Sequence, residues 1–289
     1  MARFCGVIKI TMAAVETIYR VARTRDELEQ AFALVYKEYK QRGYIPSKYK
    51  SRLRLSFYNA LPATTTFVAK QGRQVVASAT LIPDSPLGIP MDKLYREELN
   101  AIRKTGTRRI AEVSQLAINT HVFGRSLFSM FNLDKLLFIF RLFRVMYHYA
   151  VLQAGITDLC IAVNPKQQYL YKFLYLEQIG GVKEYGTVNR APAIALQVNL
   201  QRATRQGKCQ RPSLYQIFCG GTTPLEHLRH PVRLSVEDLA YLFVRRSDIF
   251  AQATPEQLAY LQQCYPADQD ALRRVLATCR NGAHSRSVP

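Results

Sequence analysis

Acidic residues are scarce in this chain. Its 289 residues hold 21 Asp and Glu against 40 Lys and Arg, a formal net charge of +19. That imbalance disfavours cationic partners and attracts polyanions: nucleic acid, an anionic membrane surface or an acidic protein. Cysteine is also sparse. Cys5, Cys160, Cys209, Cys219, Cys264 and Cys279 form no C-x-x-C pair and follow no regular spacing. This argues against a metal knuckle or a disulfide framework and for a reducing, cytoplasmic setting. The five histidines include no H-x-x-x-H pair, so no metal site is expected. The most apolar stretch, 133–152, is interrupted by Lys135, Arg141, Arg144 and His148 and makes a poor membrane span. The N-terminus is broken by Lys9 and has no small-residue cleavage site, so no signal peptide is expected. Internal repeats are absent as well.

With 48% hydrophobic and 21% charged residues, the composition is that of a globular protein. The length suits one large domain, or one domain plus an extension. The chain is organised around Arg109-Ile110-Ala111-Glu112-Val113-Ser114-Gln115-Leu116-Ala117-Ile118. Strand alternation puts Glu112, Ser114, Leu116 and Ile118 on one face and Val113, Gln115 and Ala117 on the other. Nearly every position suits a central strand covered on both sides, yet Glu112 is a carboxylate. An unpaired buried carboxylate is costly, so Glu112 is either salt-bridged to a neighbour such as Arg108 or Arg109, or tuned by burial for proton transfer.

Along the chain, Thr24 and Glu27 form a capping-box pattern that opens a helix carrying Leu28, Phe32, Val35 and Tyr39 at helical spacing. Segments 64–70 and 74–82 pair as a hairpin around Gln71-Gly72-Arg73. A rigid Pro/Gly loop follows over 83–90, then a helix over 91–104. A long helix over 133–154, a strand over 157–163, a helix over 167–178 ended by Gly180-Gly181, and strands near 182–188 and 193–198 complete one mixed sheet with helices on its faces. This divides the chain into a tail (1–16), a domain (17–200), a polar basic linker (201–211) and a helical extension (212–289). The extension is expected to cover the core or mediate self-association. Ser235–Asp238 and Thr254–Gln257 cap two of its helices.

Between Lys40 and Arg73 there are eight cations and no acid. Lys48, Lys50, Arg52 and Arg54 alternate with Tyr49, Ser51 and Leu53. This is a solvated basic face or a docking surface for an acidic partner. The interleaved Tyr44, Tyr49 and Tyr58 leave a nucleic-acid-binding module as the alternative, although it would leave Glu112 unexplained.

The residues of 80–92 (Thr-Leu-Ile-Pro-Asp-Ser-Pro-Leu-Gly-Ile-Pro-Met-Asp), with Tyr95, Glu98, the string Ala111-Glu112-Val113-Ser114-Gln115-Leu116-Ala117-Ile118, Asn164-Pro165 and Tyr171, resemble the N-acyl amino acid synthases. These are GNAT-like acyltransferases related to the autoinducer (acyl-homoserine-lactone) synthases. The resemblance covers about residues 17–200. It implies an α+β, GNAT-like mixed central sheet with helices on both faces, and acyl transfer to the α-amine of an amino acid. Two features common among related enzymes are missing. After the central strand there is no Gln/Arg-x-x-Gly-x-Gly/Ala loop to hold a CoA pyrophosphate, since 119–128 contains only Gly124. The acidic cluster that autoinducer synthases use for S-adenosylmethionine is replaced by the basic run. The expected donor is therefore an acidic acyl carrier protein bearing the acyl group on phosphopantetheine, with no further cofactor, no metal and no nucleic acid. Lys48, Lys50, Arg52 and Arg54 would dock it, and peripheral contact with an anionic membrane is compatible with the charge. Glu112 would take the amine proton. Backbone amides near Ser114 and Gln115 would meet the oxyanion, and Tyr171 would serve the departing thiolate. Arg108 or Arg109 would bind the acceptor carboxylate. Phe138, Phe140 and Phe143 would line the site of the fatty acyl chain.

Overall fold

The structure, a computed structural model, describes residues 16–45, 51–119, 121, 133–172 and 174–284. Strand β1 (Thr17–Val21) leads into helix α1 (Arg25–Gln41). Thr24 caps α1 by accepting from the Glu27 N–H, but the Glu27 carboxylate does not return the bond. Instead it accepts from Arg20, Lys70 and the Arg23 backbone, tying α1 to β1 and to β2 (Thr65–Gln71). Burial alone would raise the pKa of Glu27; these donors outweigh it and hold the carboxyl down at about 2. β2 and β3 (Gln74–Pro83) form the expected hairpin, with Gly72 turning at φ +57°.

Helix α2 (Asp92–Arg103), strand β4 (Ile110–Ile118), helix α3 (Leu133–Leu152) and strand β5 (Asp158–Val163) follow. They are succeeded by α4 (Gln168–Lys172), β6 (Glu177–Tyr185), β7 (Ala191–Asn199) and α5 (Leu200–Gln210). The seven strands form one mixed sheet in the order β1-β2-β3-β4-β5-β7-β6, in which β4 and β5 run parallel and the other neighbours antiparallel. The α+β architecture with helices on both faces is as expected from the sequence.

Two expectations fail here. The helix after Asn164-Pro165 ends at Lys172, and Gly180-Gly181 lies inside β6. The reason is tertiary: a Cβ at Gly180 would come within 2.6 Å of the Tyr95 ring, so this strand is glycine-bearing to admit that buried ring. The expected linker 201–211 is helix α5, capped by Asn199 accepting from the Arg202 N–H.

Beyond α5 lie α6 (Pro212–Tyr215), a π turn (Gln216–Gly220), α7 (Leu225–Leu228), α8 (Val236–Ala240), α9 (Pro255–Cys264) and α10 (Gln269–His284). Both expected caps form: Ser235 with Asp238 and Thr254 with Gln257. This extension is no separate unit. Leu239, Leu242, Phe243, Phe250, Leu261 and Leu272 join one continuous core with Phe32 and Val35 of α1 and Val68 of β2. The opposite face of the sheet packs on α3, and α2 covers a third cluster around Tyr95 and Ile110.

Candidate active site

Strand β4 carries the site, and its irregularities shape it. Pairing with β5 stops at Glu112↔Cys160, although both strands continue, so the two splay apart from that point. On the other edge the register with β3 jumps from Ser78↔Ala117 to Thr80↔Ser114. Gln115 takes up the extra residue at φ +55°, which makes a β-bulge. The strict alternation expected along 110–118 is therefore broken. Ala111 and Val113 face α3 before the bulge, and Leu116 and Ile118 face it afterwards, while Ala117 joins the core on the α1 side.

The bulge is held from its side chain. The Gln115 carboxamide accepts from Asn59 Nδ2 (2.9 Å) and Thr80 Oγ1 (3.0 Å) and donates to Asn59 Oδ1 and to the Arg54 carbonyl (3.1 Å each). Asn59 is positioned by a reciprocal cap with Ser56. These bonds carry much of the energetic cost of a left-handed, non-glycine residue.

Glu112 sits where β4 and β5 part. It is 2% exposed and has no cationic partner within ion-pair distance among the described residues. Its carboxylate accepts from the Met91 N–H at 2.7 Å, and the polar Ser114 side chain stands near enough to favour its charged form. Burial pushes its pKa up to about 8; those two groups pull against the rise and the nearby Asp92 carboxylate adds to it. Of the two sequence-derived options, the salt bridge is excluded: Arg108 is committed to Asp158 at 2.5 Å, and the guanidinium of Arg109 lies by Gly155.

In front of Glu112 opens a cleft of about 630 Å³, within the range of small-molecule sites. On the α1 side it is polar, lined by Tyr39, Arg42, Arg54 and Tyr58 together with Glu112. It continues through the gap between β4 and β5 to the α3 side, where Leu116, Ile118, Leu136, Ile139 and Phe143 make it apolar. The Tyr58 hydroxyl is pushed up to about 12 by burial and by the carboxylates of Glu112, Asp92 and Asp84. Tyr39, also raised by burial, feels Arg54 and Arg42 as well as Glu112; the two cations and the acid therefore face a common space. Such a site can hold an amine at the acid, a carboxylate at the arginines and an aliphatic chain through the sheet.

A family model described as N-acyl amino acid synthase FeeM matches residues 30–199. The solved structure of FeeM, an N-acyl amino acid synthase from uncultured soil microbes, is similar at 30% identity. That similarity covers 66% of this chain and 94% of that one, with a TM-score of 0.55. The chain belongs to the N-acyl amino acid synthase family. The AHL synthase LasI is 17% identical, with 73% of this chain and 98% of that one covered at a TM-score of 0.50, and shares the fold. No curated protein matches the sequence. An N-acyl amino acid synthase is an N-acyltransferase, and the seven-stranded mixed sheet is the GNAT-like fold expected of it. No helix among the described residues is long and apolar enough to cross a membrane.

Among the sequence-derived candidates, Glu112, Ser114, Gln115, Tyr171 and Phe143 line the cleft of this synthase. Arg108 and Arg109 do not, because their strand end is anchored to β5 by Asp158 and Thr157. Phe138 and Phe140 do not either: helix geometry turns Phe138 onto Tyr19 (5.2 Å between rings) and Phe140 onto Phe218 (4.5 Å), both within packed core. Of the basic quartet, Lys48 and Lys50 lie outside the described residues. Arg52 is exposed, whereas Arg54 lines the cleft and so is not a rim cation. Sequence reasoning missed Met91, Tyr39, Arg42 and Asn59. The Ser56–Asn59 spacing was the one signal that could have found the last. The extension also does more than cover the core, since Ile249, Gln252, Ala253 and Gln257 line the same cleft.

Proposed function

We propose that this synthase moves a long-chain fatty acyl group from acyl carrier protein to the α-amine of an amino acid. The observation that carries the reading is a buried Glu112, without a cationic partner among the described residues, at the point where the polar and apolar halves of one cleft meet. The acyl thioester lies with its chain through the sheet towards Phe143 and its carbonyl near the bulge. The acceptor's ammonium enters beside Glu112. With the acid at about 8, close to an amine's own range, proton transfer between them is nearly balanced in energy. Once neutral, the nitrogen attacks the carbonyl carbon. The N–C bond forms, the C–S bond breaks, and the amine's protons leave to Glu112 and water.

Gln115 and Leu116 have no partner in the β3 register and lie beyond the β5 pairing. Their backbone N–H groups, with that of Ser114, are the donors we assign to the oxyanion. The departing thiolate takes up one of the protons the amine releases, and Tyr171, whose hydroxyl burial raises above its usual range, stays protonated beside the path of the acyl chain. Arg42 and Arg54, in place of Arg108 and Arg109, bind the acceptor carboxylate. The carrier protein is supported by the +19 charge and the missing pyrophosphate loop. Its encounter is steered by the basic run, Lys48, Lys50 and Arg52 included.

The test is a paired rate measurement with the same acyl chain on acyl carrier protein and on CoA, across a salt series. Expected is efficient use of the carrier protein, with a KM that climbs as salt screens charges beyond about 8 Å, and poor use of acyl-CoA. Equal efficiency with the two donors would overturn the donor assignment.

A further inference from the structure

Behind Phe143, Ile161 and Tyr171, on the side away from Glu112, lies a second cavity of about 70 Å³. Those three residues line both spaces. The far wall comes from helix α5, the end of α6 and the π turn: Ala203, Gly207, Tyr215, Phe218 and Cys219. All five lie beyond residue 199, where the family match ends. The lining is almost wholly hydrocarbon, and the hydroxyl of Tyr147, which also borders the space, is occupied by Thr204 at 2.6 Å.

An apolar recess leaves hydrocarbon surface against water unless something apolar fills it. The lining carries no charged side chain; its one buried polar atom without a hydrogen-bond partner among the described residues is the Tyr175 hydroxyl, too little to hold a polar ligand. The wall it shares with the apolar end of the cleft, formed by Phe143, Ile161 and Tyr171, identifies what does fit.

We propose that the distal end of the acyl chain passes between Phe143, Ile161 and Tyr171 into this cavity, so that α5 and the π turn set the chain length the enzyme accepts. This rests on the acyl-transfer reading of the cleft. The segment that closes the cavity is supplied by this chain's own sequence beyond the matched span. Chain-length choice is thereby separated from the chemistry at Glu112.

The test uses the full chain with octanoyl, dodecanoyl and palmitoyl donors on acyl carrier protein, read by mass spectrometry of the N-acyl products. Ala203→Leu fills the cavity. Each excluded methylene forfeits burial worth roughly fourfold, so the palmitoyl-to-octanoyl ratio should fall about tenfold or more, with octanoyl transfer as the internal reference. Phe218→Ala enlarges the cavity and should shift the profile towards longer chains. If Ala203→Leu fails to fold, Gly207→Ala is the milder fill. Its added methyl would stand 3.4 Å from Tyr215 Cβ, at ordinary contact range, and should move the ratio in the same direction.

Unchanged ratios in folded variants that still transfer octanoate would overturn the inference and leave the acyl-transfer reading intact. Absence of transfer from every donor by the unaltered chain would overturn that reading first, and the inference with it.

Discussion

The backbone N–H of Met91 donates to Glu112 Oε2 at 2.7 Å, and through this bond a surface loop holds the acid of the central strand. The Pro83–Met91 segment is shaped to deliver it. Asp92 accepts from the Ile89 N–H at 2.7 Å, and Arg103 grips Asp92 and Asp84 with two bonds each. Gly88 turns at φ +70° beneath the Asp92 carboxylate. A run that reads as a rigid connector is thus the mount of Glu112.

Replacing Glu112 by Gln keeps the side chain's shape and removes the base. Turnover at saturation should fall by roughly 10²-fold or more. In the unaltered enzyme the rate should rise with pH and level off above about 8, as the buried carboxyl ionises; the variant should lack that limb. A Gln variant with a near-normal, pH-dependent rate would remove Glu112 from the chemistry.

The same residue predicts a stability profile. The folded state holds the Glu112 proton up to about pH 8, whereas the unfolded chain releases it near 4.5. Between these values the native state binds more protons, so stability falls as pH rises through the window. Urea titrations at several pH values should show this slope, and Glu112→Gln should flatten it. An unchanged slope in the variant would contradict the elevated pKa.

Two glycines separate loop strain from loop function. At Gly72 (φ +57°) an added Cβ has no neighbour within 4 Å, while at Gly88 it would collide with the Asp92 carboxylate. Gly72→Ala should cost about 1–2 kcal/mol with turnover intact. Gly88→Ala should cost more and lower turnover, because the Met91 amide moves off Glu112. Equal effects on turnover would show that the loop does not position the acid.

Much of this was legible in the sequence, for identifiable reasons. The apolar spacing of Leu28, Phe32 and Val35, the hairpin at Gly72 and a strand with an anomalous acid are local patterns, and each appears where the pattern puts it. The bulge at Gln115 was not legible, because its left-handed backbone is held by Asn59 and Thr80 from elsewhere in the chain and not by a glycine. Gly180 misled for the opposite reason. It is there to admit the Tyr95 ring, a contact between residues 85 positions apart. Tyr39 fits the helical stripe of its neighbours, yet in the last turn of α1 it lines the cleft.

Glu27 should matter to stability and not to catalysis. It is buried against Arg20 and Lys70, and its loss leaves both cations poorly solvated. Glu27→Ala should cost about 3–5 kcal/mol with little change in KM or kcat for folded protein. Because its folded pKa is depressed to about 2, its stabilisation is present above about pH 4.5 and is lost as pH falls towards 2. A variant as stable as the parent at pH 7 would show that the cluster contributes nothing net.

The extension should couple stability to acceptor binding. Phe243, fully buried, stacks on Phe250 at 5.1 Å, and Phe250 in turn lies 6.2 Å from Phe57, which lines the cleft with Ile249 and Gln252. Phe243→Ala removes the base of that stack and should cost about 3–5 kcal/mol. The Phe57 wall relaxes with it, so acceptor KM should rise several-fold while kcat, governed at Glu112, changes little. Denaturant melts and acceptor titrations on the same preparation separate the two effects. A stability loss with acceptor KM unmoved would reduce the extension to a cover for α1 and leave Ile249 and Gln252 as bystanders at the mouth of the cleft.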